Sequence, residues 1–136
     1  MSDTFADLQS NPDIMRDMYN SVFGAEYSDE ELAALKITAA KDRLKRDSCR
    51  IFRLDTSDAA DMAVLDELTA AYTESFARAL VYLQCYYYFS DFDDTAGVNA
   101  KRMMECMAEY REELAGFGSY PAGGRTTTAM AVVSRG

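Results

Sequence analysis
With 136 residues, 49% of them apolar and 27% charged, the chain has the size and composition of one ordinary globular domain rather than a disordered segment. Its formal net charge of −9, from 23 acidic against 14 basic residues, disfavours whole-chain binding to nucleic acid or to anionic membranes. The complete absence of histidine removes the commonest general base, the commonest metal ligand and every Ser-His or Cys-His nucleophile arrangement.

Residues 1–11 carry Asp3 and Asp7 and lack a basic start followed by an apolar run, so no signal peptide is expected. Asn11-Pro12 places a capping side chain before a proline suited to a first helical turn. Ile14, Met15, Met18 and Val22 then recur at helical spacing, which predicts a first helix over 12–23, ended by Gly24. Ser28-Asp29-Glu30-Glu31 is a capping box and starts a second helix. Along that helix Ala33, Ile37, Ala40 and Leu44 form one apolar stripe, and Lys36, Arg43, Arg46 and Arg50 form a basic stripe beside it. Three readings of the basic stripe stay open: a salt-bridged protein interface, contact with phosphates, or a solvated face.

Thr56-Ser57-Asp58 starts the next helix, and no proline or glycine follows as far as Phe89. That predicts one central helix of about 33 residues, about 50 Å long. Leu65, Leu68, Tyr72, Ser75, Ala79, Tyr82 and Tyr86 keep a 3,4 spacing along it, a seam of coiled-coil type. From Phe76 to Phe89, 12 of 14 residues are apolar or aromatic, with Arg78 and Gln84 as the interruptions. The stretch is too short and too polar to span a bilayer. Consecutive helical residues point about 100° apart, so Tyr86, Tyr87 and Tyr88 cannot all face one core. The run Tyr82, Tyr86, Tyr87, Tyr88, Phe89 and Phe92 is therefore either ordinary core or a subunit interface, a place that suits tyrosine.

Asp91 to Asp94 cap a last helix, in which Ala100, Met103, Met104, Met107, Tyr110 and Leu114 mark one face; it should fold back on the central helix as an antiparallel hairpin. The acidic turn is not a calcium loop, because Ala96 and Arg102 stand where glycine and glutamate would be needed. Glu105, Glu109, Glu112 and Glu113 have the spacing of a solvated helix face, so carboxylate-only catalysis is the weaker reading of them. Cys49, Cys85 and Cys106, odd in number and far apart, read as reduced, buried small hydrophobes. From Phe117 the composition turns to glycine and threonine, dividing the chain into a helical bundle over 1–116 and an extended arm over 117–136. That arm is a disordered tail or a segment that adds to a partner in extended form. The fold class expected is all-α: a bundle of about four helices with a long central helix and an extended C-terminal arm.

The capped helix SDEELAALKITAAKDRLKRD, the helix end ALVYLQCYYYF, the acidic turn, the helix KRMMECMAEYREEL and the Gly/Thr-rich arm together resemble head-to-tail adaptor (connector) proteins of tailed bacteriophages. The likeness is one of layout and covers about residues 28–136. It implies a non-enzymatic virion protein without cofactor or metal, a homo-oligomeric ring, commonly dodecameric, at the neck. The ring would join the portal protein to tail or neck proteins and leave a lumen through which DNA passes without sequence-specific binding or membrane contact. The resemblance further implies that the arm, with Tyr120, Arg125, Thr127, Met130, Val132, Val133 and Arg135, docks on the portal. It also implies that the aromatic surface from Tyr82 to Phe89 packs within or between subunits. The alternative from another class is an acidic helical binding module, immunity- or chaperone-like, that sequesters a basic partner.

Overall fold
The computed structural model describes residues 4–92 and 97–119, all-α, with seven helices and no strand among them. The first element, α1 (Pro12–Met18), starts as its sequence requires: Asn11 Oδ1 accepts from the Asp13 amide at 3.0 Å and proline occupies the first turn. The helix expected over 12–23 is broken at Tyr19, whose φ of −140° and ψ of 63° leave the helical region before α2 (Asn20–Phe23). Gly24 ends α2, and only glycine fits there: a Cβ would lie 2.8 Å from the Asn20 carbonyl oxygen.

Arg16 holds the next turn together. Its Nε donates to the carbonyls of Phe23 and Gly24 at 3.2 and 3.1 Å, its Nη2 to that of Tyr27 at 2.8 Å, and its Nη1 meets Asp29 at 2.6 Å. One guanidinium thus satisfies carbonyls that a helix end leaves without partners.

The capping box opens α3 (Asp29–Ala34) as read: the Glu31 amide donates to Ser28 Oγ at 3.1 Å and the Ser28 amide to Glu31 Oε1 at 2.8 Å. This helix does not continue into the basic segment. Leu35 is extended and Lys36 takes a left-handed φ of 53°, so α4 (Ile37–Phe52) is a separate helix. The cause lies on another element: buried Gln84 donates through Nε2 to the carbonyls of Leu32, Ala33 and Leu35 at 3.2, 3.2 and 2.7 Å, taking the place of a continued helical ladder. Ala40 and Leu44 are buried on α4 as the apolar stripe requires. Arg53, at φ 58°, closes the helix, with the Leu54 amide donating to the Cys49 carbonyl at 2.8 Å.

The central helix is two helices, α5 (Ala59–Ala71), capped by Asp58, and α6 (Thr73–Ser90). Tyr72 (φ −125°, ψ 45°) separates them without proline or glycine. Threonine hydroxyls flank the break: Thr69 Oγ1 donates to the Leu65 carbonyl at 2.8 Å, and Thr73 Oγ1 to those of Thr69 and Ala70 at 3.0 and 3.1 Å. Such back-bonding bends helices. The long seam from Leu65 to Tyr86 is therefore split, although Leu65, Leu68, Ala79 and Tyr82 are buried on either side of the break.

The last helix, α7 (Val98–Phe117), runs antiparallel to α6 as expected. Phe117 packs on Phe76 with ring centroids 4.7 Å apart, and Arg78 Nε donates to Glu113 at 3.1 Å. The helix extends one residue past the boundary at 116, because the Phe117 ring is wholly buried. Two apolar clusters form the interior, one among α4, α5, α6 and the end of α7, the other among α1–α3, α6 and the start of α7. Helix α6 lies in both, and its residues 79–85 are all buried, which explains why its sequence is apolar all round. All three cysteines are buried and free, and no helix among the described residues is long and apolar enough to cross a membrane.

Candidate interaction surface
The three consecutive tyrosines at the end of α6 point to three different neighbours of the same chain. Tyr86 borders α7 beside Met103 and Met107. Tyr87 lies beside the Arg43 guanidinium of α4. Tyr88 turns toward α2 and α3, where its hydroxyl meets that of Tyr27 at 3.2 Å and its ring meets Phe23 at 5.2 Å. Burial and the Tyr27 hydroxyl push the Tyr88 phenol up to about 12. All three remain half-buried.

The rest of the aromatic run divides into interior and surface. Phe89 is 1% exposed, enclosed by Tyr19 and Phe23 at 5.0 and 6.0 Å, and Tyr82 is buried with burial and nearby Glu109 raising its phenol. Phe92 is 45% exposed and rests edge-on against Tyr88. Of the six residues read as a subunit interface, Tyr86, Tyr87, Tyr88 and Phe92 keep surface available.

The basic stripe is not one surface. Lys36 sits in the turn before α4 and pairs with Asp91. Arg43 donates to Asp47 at 3.0 Å and lies over the Tyr110 ring at 5.9 Å. The same Asp47 oxygen accepts from the Tyr110 hydroxyl at 2.7 Å; burial first, then this bond, drives the Tyr110 phenol far above its usual range. Arg46 and Arg50 alone of the four are exposed, Arg50 only loosely paired to Asp47 at 3.8 Å. Asp47, Arg16 and Gln84 carry structural roles that helical periodicity does not reveal, although Gln84 stands out as a polar interruption of an apolar run.

On α7 Met104 departs from the core face assigned to it. It is 74% exposed, because it lies about 100° round the helix from Met103 while Cys106, Met107, Tyr110 and Phe117 fill the interior. With Tyr86, Met103, Met107, Ala108 and Arg111 it lines an open, mostly apolar groove of about 550 Å³ between α6 and α7. Along the neighbouring face Glu105, Glu109 and Glu112 are exposed, as a solvated row should be, while Glu113 is drawn in by Arg78. Glu105 accepts from the Tyr19 hydroxyl at 3.1 Å, and the Arg102 guanidinium covers the Tyr19 and Phe89 rings at 5.7 and 5.4 Å.

Among the described residues no cluster of His, Cys, Asp or Glu could hold a metal ion. Asp93 and Asp94, and the arm residues Tyr120, Arg125, Thr127, Met130, Val132, Val133 and Arg135, lie outside the described residues. No family model, no curated protein and no solved structure matches the chain.

Proposed function
We propose that the chain is a structural adaptor that works by packing against other proteins, as a head-to-tail connector in a phage neck, ring-forming and non-catalytic. The observation that supports a packing role is the groove between α6 and α7, where Met104 stands 74% exposed next to half-buried Tyr86. A mobile thioether beside an aromatic ring is an adaptable docking surface, and contiguous exposed apolar area marks partner sites. The order of capped helix, aromatic-ended helix, shorter helix and Gly/Thr-rich arm supports the specific partner, a portal.

Light scattering on the purified chain, alone and mixed with a tailed-phage portal protein, tests this reading. Co-elution as a ring on the portal is expected, and deletion of residues 119–136 should leave a folded helical protein that no longer joins it. A chain that ignores the portal in both forms refutes the adaptor. The exposed row Glu105, Glu109 and Glu112 favours a second reading, an acidic module that sequesters a basic protein. Stoichiometric binding of a small cationic protein, lost on charge reversal of those glutamates, would establish it.

A further inference from the structure
We propose that Cys85 and Cys106 form an oxidisable dithiol, a latch that a small hydroperoxide closes into a disulfide between α6 and α7. Both thiols are wholly buried, one on each helix of the antiparallel pair, and they are hydrogen-bonded to one another. Sulfurs in contact on neighbouring helices meet the first requirement of a disulfide, which is proximity. A thiol buried in apolar surroundings is ordinarily held protonated and inert. Cys106 differs, because its proton has a way out. Its Sγ donates to the Tyr19 hydroxyl at 3.5 Å, and that hydroxyl donates to the exposed carboxylate of Glu105 at 3.1 Å. The break between α1 and α2 at Tyr19 brings this phenol to α7, where the Arg102 guanidinium covers its ring at 5.7 Å.

The same contacts make the two sulfurs unequal. Hydrogen bonds from Cys85 and Tyr19 outweigh burial and the nearby charges of Glu105 and Glu109, so the Cys106 thiol lies below its ordinary range. Cys85, bonded to Cys106 and buried, lies above it. Cys106 is therefore the attacking sulfur and Cys85 the resolving one. The Cys106 thiolate attacks one oxygen of the hydroperoxide, the O–O bond breaks, and the departing oxygen takes up a proton, leaving a sulfenic acid. The Cys85 sulfur then attacks the sulfenic sulfur, the S–O bond breaks, and water leaves with the Cys85 proton. Two thiols are oxidised to a disulfide while the hydroperoxide is reduced to one water and an alcohol or second water. The inference concerns the chain alone and stands independently of the portal reading.

The full-length chain, treated with hydrogen peroxide and digested without reductant, provides the test. A peptide cross-linked between Cys85 and Cys106 of one chain is expected, reversible by dithiothreitol and formed while circular dichroism still reports full helicity. It should appear about tenfold ahead of any oxidation of Cys49, which is buried in the other apolar cluster with its thiol raised by that burial. Cys106→Ala should leave Cys85 reduced, and Cys85→Ala should halt Cys106 at a sulfenic acid that dimedone captures. Tyr19→Phe keeps the ring and removes the proton's exit. The pH at which oxidation reaches half its maximal rate should then rise by about one unit, a shift that altered packing alone does not give. Oxidation of Cys49 at an equal rate, cross-links only between chains, or thiols that survive until helicity is lost would overturn the proposal. So would a pH profile unmoved in Tyr19→Phe. Failure of portal binding would not bear on it.

Discussion

Replacing Gln84 by methionine isolates the contact that separates α3 from α4. The side chains are nearly equal in length and volume, so the exchange leaves no cavity of consequence. Gln84 is wholly buried and its Nε2 has two hydrogens for three carbonyls, the shortest contact being 2.7 Å to Leu35. Losing two hydrogen bonds costs about 2–3 kcal/mol, the part-buried carbonyls of Ala33 and Leu35 losing their donor while that of Leu32 keeps the Leu35 amide. Against this, the Oε1 atom is buried with no hydrogen-bond partner among the described residues, and removing it recovers about 1 kcal/mol of desolvation. The net is a loss of about 1–2 kcal/mol, which urea denaturation should read as a lower midpoint at constant slope. Amide exchange should quicken first around Leu35 and Lys36, where the turn loses its anchor. Equal or greater stability in the methionine variant would refute the argument, because the break at Lys36 would then owe nothing to α6.

Three further outcomes follow from the same geometry. Arg53→Gly should stabilise the chain by about 1 kcal/mol in thermal melts, since the left-handed φ of 58° at the end of α4 suits glycine better than arginine. Tyr110→Phe, which takes a 2.7 Å hydrogen bond from Asp47 while leaving the ring in place, should cost about 1–2 kcal/mol by chemical denaturation. Stability should also fall in alkali. Tyr88 is raised to about 12, and Tyr19 and Tyr110 are raised further by burial and hydrogen bonding, whereas unfolded tyrosine ionises near pH 10. Raised folded values mean that the neutral forms are favoured in the fold, so their contribution is whole below about pH 10 and is lost as pH climbs through about 12. Tyrosinate absorbance should therefore appear in step with loss of helicity rather than before it.

What the sequence made readable is what local chemistry decides. The Ser28–Glu31 box, the Asn11-Pro12 start and the ending at Gly24 each involve residues within four positions of one another, and each forms as read. The breaks at Tyr19, Lys36 and Tyr72 did not announce themselves, because no proline or glycine stands at any of them. Lys36 is governed by a glutamine 48 positions later, and at Tyr72 only the flanking threonines Thr69 and Thr73 hint at a bend. The basic stripe failed for a related reason. A single stripe requires one continuous helix, whereas the helix ends before Lys36, and Arg43 has its partner Asp47 one turn ahead, an i,i+4 pair visible in the sequence. Positions 103 and 104 cannot both face inward, and periodicity alone does not say which of the two adjacent methionines, Met103 or Met104, does.

The position of α6 constrains any assembly this chain enters. Because α6 belongs to both apolar clusters, its aromatic surface is mostly consumed at home, and Phe89 and Tyr82 have almost no area left to offer. In the proposed assembly the surface left for a partner is the half-buried rim of Tyr86, Tyr87, Tyr88 and Phe92 and the outer sides of α4 and α7, with Arg46 and Arg50 on the first and the methionine groove on the second. Two unlike surfaces on one molecule favour a head-to-tail contact over a two-fold one, and such contacts close into rings or extend into filaments. The exposed charges there set orientation and association rate more than affinity. If the proposed assembly draws its binding energy from the groove, Met104→Glu should weaken it far more than neutralising Arg46 and Arg50 together, a ranking that sedimentation of the two variants can reverse.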